Sequence, residues 1–409
     1  MTQALNQNLG VIPEASPLKS LIQALANPQL SVLGLELLLA VPLGCLLYHF
    51  NPSGIAWILA GLFSGGLAFQ FSRSRFHTVP KPNRTARKVG MALVGMAIGF
   101  SMTQGHLADL VGDLPLFVSL TGLLLFSGVA IGYLYARLSR INLLTAMLAT
   151  VPGGVGVMSS LAADYGRNVP LVALVQIMRV AAVICFIPWV AKGISGQSAS
   201  SQTLAVANGW LNFDNFDLSQ VGWLSLALAA TASGVYLSSR LQIPAAPFFG
   251  SVLVGILFNP IFNALPFAPI AEFSPPPLIG LLGQILLGIT IGEYWGAQPP
   301  LGKRTIAAAG VSVVLTIGAG FVAALIALQL TDWDWLTCML VTAPGGAPEM
   351  ILVALSLNHQ VETVTAAHLV RLIAINSSLP LWLWLFQHLD RRLPIFESNS
   401  SSQQAPIQE

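Results

Sequence analysis

Two short stretches of this 409-residue chain combine residues that free backbone hydrogen-bonding groups with polar residues able to use them. Thr150, Pro152, Gly153 and Gly154 belong to Thr-Val-Pro-Gly-Gly, and Thr342, Pro344, Gly345 and Gly346 belong to Thr-Ala-Pro-Gly-Gly. Proline removes an amide donor and glycine loosens a helix, so carbonyl and N–H groups come free at both places. Each stretch lies inside a long apolar run. In hydrocarbon such a break is costly unless the freed backbone faces protein or a watery cavity. Broken helices at corresponding positions of two repeats mark the midplane solute site of transporters. A pair of purely structural kinks is the competing reading.

Arg179 and Arg371 sit near the middle of the apolar segments that follow the two breaks. An arginine at the centre of a membrane helix costs from about 2.5 to more than 10 kcal/mol, so each must face the bundle interior with a partner. Gln176 and His368 lie three residues earlier, on the same helical face. Two roles follow for the arginines. They can be structural, bonded to carbonyls freed at the breaks or paired with a carboxylate, or they can present a positive pocket to an anionic solute such as a carboxylate. Glu349 stands where the first copy has Val157, which makes it either a proton or cation site or the counter-ion of an arginine. Glu36 and Glu293 are further carboxylates within apolar runs and read as structural or interfacial.

Nothing in the sequence points to catalysis. His49, His77, His106, His359 and His388 show no spacing that builds a metal centre, and there is no nucleophile elbow, Walker loop or dinucleotide fingerprint. No catalytic residue, metal ligand or cofactor is expected, and the chain reads as a non-enzyme. Cys45, Cys185 and Cys338 lie singly in apolar runs and read as packing residues.

The elements that must hold these residues are membrane helices. The chain is 55% hydrophobic and 8% charged, with a mean hydropathy of +0.74, outside the range of soluble domains. Continuous apolar runs such as 31–50 and 305–330 are too long for barrel strands. The expected fold is all-α: a polytopic integral membrane protein with two inverted-topology repeats, about ten crossings and two broken or re-entrant Pro-Gly-Gly segments. The expected divisions are a polar segment at 1–30, a first membrane repeat at 31–194, a polar connector at 195–220, a second repeat at 221–392 and a disordered tail at 393–409.

Duplication rests on matches at one register. Leu144, Thr145, Met147, Leu148, Thr150, Pro152, Gly153, Gly154, Met158 and Arg179 fall on Leu336, Thr337, Met339, Leu340, Thr342, Pro344, Gly345, Gly346, Met350 and Arg371. Charge then orients the copies. Arg73, Arg75, Lys81, Arg84, Arg87 and Lys88, with Arg137 and Arg140, place their loops in the cytoplasm, whereas the equivalent second-half loops carry Glu272, Asp332 and Asp334. Arg240, Lys303 and Arg304 occupy loops whose first-half counterparts lack positive charge. If each Pro-Gly-Gly segment is a hairpin, its arms of about ten residues reach roughly the midplane and return. Both termini are then cytoplasmic, and the hairpins enter from opposite faces of the cell's inner (plasma) membrane. Spanning helices unwound at Pro-Gly-Gly are the alternative.

The two motif stretches, Leu-Leu-Thr-Ala-Met-Leu-Ala-Thr-Val-Pro-Gly-Gly-Val-Gly-Val-Met and Leu-Thr-Cys-Met-Leu-Val-Thr-Ala-Pro-Gly-Gly-Ala-Pro-Glu-Met, with the arginines that follow, resemble the membrane AbrB family and its AbrB duplication. Members of that family are labelled as regulators of gene expression or as ammonia monooxygenases. More distantly, the duplicated halves are similar to the cation/proton antiporter and anion transporter superfamily, which implies inverted repeats with a site at the broken helices. A copper monooxygenase needs a nest of imidazole or carboxylate ligands, and the sequence offers none. A DNA-binding regulator needs a basic soluble module, and basic residues are scattered here over loops. The expectation is a secondary transporter of a small anionic solute. Its expected partners are that solute or an ion and the lipid bilayer, without nucleic acid, and a homo-oligomer is allowed. A membrane oxidoreductase or a membrane-embedded regulator are the alternatives.

Overall fold

The structure is a computed structural model, which describes residues 28–50, 55–76, 82–102, 112–195, 218–243, 245–264, 273–296, 302–357 and 359–392. Lys81, Glu272, and most of the N-terminal segment, the connector and the tail expected from sequence lie outside these residues. Among the described residues every regular element is a helix. Seven come from the first half: α1 (Pro28–Phe50), α2 (Ile55–Phe76), α3 (Arg84–Ser101), α4 (Leu114–Ser139), α5 (Leu143–Thr150), α6 (Val155–Asp164) and α7 (Val169–Ser195). Seven come from the second: α8 (Leu218–Arg240), α9 (Ala246–Asn263), α10 (Pro277–Gly296), α11 (Lys303–Leu330), α12 (Trp335–Thr342), α13 (Ala347–Leu357) and α14 (Val361–Arg392).

Nine of the described helices are long and apolar enough to cross a bilayer. The chain is thus an all-α polytopic integral membrane protein. α3 has comparable length, but Arg84, Arg87 and Lys88 fill its first turns. It starts five residues before the apolar run does, because the Asn83 side chain accepts from the amides of Thr85 and Ala86 and so caps a charged first turn. α7, α11 and α14 run well past bilayer thickness, and α14 continues through Pro380. The four short helices are the two arms of each Pro-Gly-Gly segment.

The helices sort into two groups. α1, α2 and α3 pack with α8, α9 and α10, while α4 to α7 pack with α11 to α14. The pairings match under exchange of the halves: α2 lies on α10 as α3 lies on α9, and α7 lies on α11 as α14 lies on α4. The first group is joined through glycine. A methyl at Gly61 or Gly65 would strike the carbonyls of Ile285 and Ile289, and one at Gly288 or Gly292 would strike those of Ile58 and Leu62. Gly95 and Gly99 meet Phe248 and Gly255 of α9 in the same manner. Where lipid supplies no hydrophobic drive between helices, such backbone contact is the main source of packing energy. Contacts between the two groups are sparser and run mostly through α7 and α13.

Cys338 is buried, as a packing residue should be, but Cys45 and Cys185 are exposed and face outward from the bundle. An outward helix face in lipid accepts a thiol as readily as an aliphatic side chain, so apolar surroundings in sequence did not separate core from lipid here.

The helix starts at both breaks are capped alike. Asn142 accepts from the amides of Leu144 and Thr145 at α5, and Asp334 accepts from those of Leu336 and Thr337 at α12. Asn142→Ala and Asp334→Ala should each cost about 1 kcal/mol. Thermal unfolding in detergent would read this as a lowered midpoint, and an unchanged midpoint in both would remove the caps as determinants of the arms.

Candidate functional site at the paired helix breaks

Helix α5 ends at Thr150 and α6 starts at Val155; α12 ends at Thr342 and α13 starts at Ala347. Pro152 and Pro344 therefore lie in non-helical backbone at matching places. The turns are built from the same parts. Met158 folds over Gly153, and Met350 over Gly345, so that a side chain at either glycine would have to displace the methionine. Thr150 Oγ1 donates to the Gly128 carbonyl of α4 at 2.9 Å, and Thr342 Oγ1 to the Gly320 carbonyl of α11 at 2.9 Å. Those glycines escaped the sequence reading, although both stand 22 residues before their threonine. The second glycines differ. Gly154 adopts φ 83°, a conformation that excludes most side chains, whereas Gly346 is packed against the Glu349 carboxylate.

The hydrogen bonds also give the direction of the arms. Gln176 Nε2 donates to the carbonyls of Leu148 and Val151, both at 3.0 Å, and Arg179 Nη1 to that of Thr150 at 3.0 Å. In the second copy His368 Nε2 bonds the Leu340 carbonyl at 3.0 Å and Arg371 Nη1 the Ala343 carbonyl at 2.7 Å, each across a separation of 28 residues. In the second copy the partners advance together along the chain, His368 with Leu340 and Arg371 with Ala343. Helices paired this way run parallel. The two arms of each segment meet at the interruption, α5 and α6 at 151–154 and α12 and α13 at 343–346.

The two broken segments begin at opposite ends of α4. α5 follows directly on the C-terminal end of that helix, whereas Trp333, just before α12, stacks on Phe117 in its first turn with ring centroids 5.6 Å apart. With Gly128 midway along α4 bonded to Thr150, the tips meet near the centre of the bundle.

At that centre stand the arginines. Arg179 and Arg371 are 2% and 5% exposed, and their charges are close enough to interact. Each works with a neighbour one turn earlier. Gln176 Oε1 accepts from Arg179 Nη2 at 2.7 Å while its amide nitrogen serves the arm. His368 does the same with a ring: Nε2 faces a carbonyl and so carries the proton, which leaves Nδ1 to accept from Arg371 Nη2. Arg371 Nη2 also donates to the Gly345 carbonyl at 3.1 Å. Freed carbonyls thus take part of each guanidinium, one of the two roles expected from sequence. Neither arginine has a carboxylate partner among the described residues, and Arg179 Nε is buried without a hydrogen bond. Glu349, 5% exposed in the first turn of α13, forms no ion pair with either. The cavity beside the second tip, lined by Val183, Ile187, Gly320, Met339, Ala343 and Pro344, is apolar.

Helices that cross a bilayer, paired with buried cations at interrupted segments, define a class of polytopic membrane protein. Its membership follows from comparison: a family model described as "Transition state regulatory protein AbrB" matches residues 57–387, and the chain belongs to the AbrB family. It is similar to "Uncharacterized protein YhjN" of Bacillus subtilis (strain 168), at 28% identity over 75% of this chain and 80% of that protein. It is also similar to "Putative regulator AbrB" of Escherichia coli (strain K12), at 25% identity over 83% of this chain and 91% of that one.

Proposed function

We propose that this protein is a secondary transporter of a small anionic solute, with alternating access around the paired Pro-Gly-Gly turns. The observation that carries the reading is the pair of buried guanidiniums without carboxylate counter-ions among the described residues, set at the tips of the two breaks. Two like charges in a dry interior need compensation, and hairpin carbonyls supply only partial dipoles. An anion would complete the site, aided by the N-terminal amides of α6 and α13 that follow each turn. Sparse contact between the two helix groups supports movement of one against the other.

If the long helices cross alternately and each Pro-Gly-Gly segment returns to its own side, Arg73, Arg84, Arg87, Lys88, Arg137, Arg140, Arg240, Lys303 and Arg304 fall at one end of the bundle, and Lys192 late in α7 at the other. This supports inverted repeats in the plasma membrane with both termini in the cytoplasm.

The regulatory names belong to the family model and to the Escherichia coli protein. For this chain, a regulatory phenotype would be a consequence of solute flux. No observation favours an oxidoreductase: among the described residues no group of three His, Cys, Asp or Glu side chains comes together.

The test is uptake by liposomes carrying the purified chain, across a panel of labelled monocarboxylates, dicarboxylates and inorganic anions. At least one anion should accumulate above protein-free liposomes and compete with its own unlabelled form. If none does under an imposed proton or sodium gradient of either sign, the reading fails.

A further inference from the structure

Outside the hairpins, one pair of acidic side chains lies wholly within the first helix group. Glu36 on α1 is fully buried and Glu293, in the last turn of α10, is 2% exposed. α1 packs on α10 here, and the two carboxyl groups are close enough to interact. The backbone N–H of Asn83, at the start of α3, donates to Glu293 Oε2 at 2.8 Å. Both oxygens of Glu36 are buried without a hydrogen-bond partner among the described residues.

Among the described residues the surroundings offer no cation. On the elements packed around the pair, the titratable and charged groups are Arg73 on α2, Arg84, Arg87 and Lys88 on α3, and Tyr294 beside Glu293. Arg87 lies over the Tyr294 ring instead, and among the described residues no basic side chain forms an ion pair with either carboxyl. The stretch of α7 that meets α10 presents Ala173 and Ile177.

Two buried carboxylates side by side, facing no positive group among the described residues, cannot both stay ionised. A metal cation fits poorly, because an N–H already points at one of the few oxygens present. A proton fits: Glu36 as a carboxylic acid donates its O–H to ionised Glu293, which takes its second hydrogen bond from Asn83. We infer that Glu36 and Glu293 form a proton-binding site, holding one proton between them at the end of the bundle that carries the basic loops. Glu293 lies near a helix terminus, so the proton can exchange from that side. Calling this proton the coupling ion rests on the transport reading above; its presence does not.

Infrared spectroscopy of the full chain in liposomes tests the site at neutral pH, with all glutamates carrying a ¹³C carboxyl label. The wild type should show a protonated-carboxyl C=O band at the ¹³C position that shifts in heavy water. In Glu36→Gln the band should vanish. In Glu36→Asp, which keeps the carboxyl and guards against misfolding, it should move to the unlabelled position. Absence of the band in the wild type, or its persistence unchanged in Glu36→Asp, would overturn the proposal. Anion uptake measured on the same samples keeps the two readings separable: a band without uptake removes transport and leaves the proton site standing.

Discussion

Arg371→Ala is expected to cut anion uptake by about 30-fold or more, because truncating one member of a buried charge-assisted contact costs about 2 to 5 kcal/mol and each 1.4 kcal/mol is tenfold. Its effect on stability should be smaller, since two terms oppose. The carbonyls of Ala343 and Gly345 and Nδ1 of His368 lose their donor, at about 1 to 3 kcal/mol for each group left unsatisfied. Against this, the desolvation of a cation without a counter-ion disappears, a relief of several kcal/mol in principle. Arg371→Lys separates the roles. It keeps the charge but replaces a planar fork that bridges two carbonyls with a single ammonium, so uptake should fall while unfolding moves by no more than about 1 to 3 kcal/mol. Uptake at the wild-type rate in either variant would leave Arg371 as a strut for the hairpin and nothing more. Arg179, whose Nε has no partner, should follow the same pattern in its own variants.

Gly288→Leu is expected to prevent assembly of the first helix group. Even a methyl at this position would meet the Ile58 carbonyl oxygen, the Leu62 amide and Gly61 Cα, all backbone atoms of α2 that have no rotamer by which to yield. Overpacking of a side-chain core costs about 1 to 3 kcal/mol, and a backbone collision belongs at or above the top of that range. Because Gly61, Gly65 and Gly292 repeat the contact along the same pair of helices, one separation opens the others. The expected result is aggregated protein on size exclusion, or an unfolding midpoint too low to measure. Gly310→Ala is the internal control: no atom lies within 4 Å of where its methyl would sit, so it should be neutral or gain up to about 1 kcal/mol from helix propensity. Equal behaviour of the two variants would show that the α2–α10 contact does not hold the group together.

Much of the architecture was legible in the chain because the bilayer imposes it. Apolar runs of bilayer length can only be helices, and Pro-Gly-Gly within them can only break the helix, since a missing amide donor is a covalent fact. The repeated spacing also exposed Arg179, Arg371, Gln176 and His368 as one matched set before any contact was known. What spacing could not reveal is where their donors go. A guanidinium in hydrocarbon has to find acceptors, but whether these are carboxylates, freed carbonyls or a passenger depends on which backbone lies within 3 Å of it.

Tertiary structure decided that question, and two others. The advance of partners from Leu340 to Ala343 against His368 and Arg371 emerged only from contacts, because a chain of alternating apolar segments does not reveal which backbone lies beside which. The pairing of Glu36 with Glu293 was likewise hidden: the residues lie in different halves, and each alone looks like an isolated carboxylate near a helix end. Covalent composition fixes which groups demand a partner in lipid; only the packing of helices distant in sequence determines which partner each one meets.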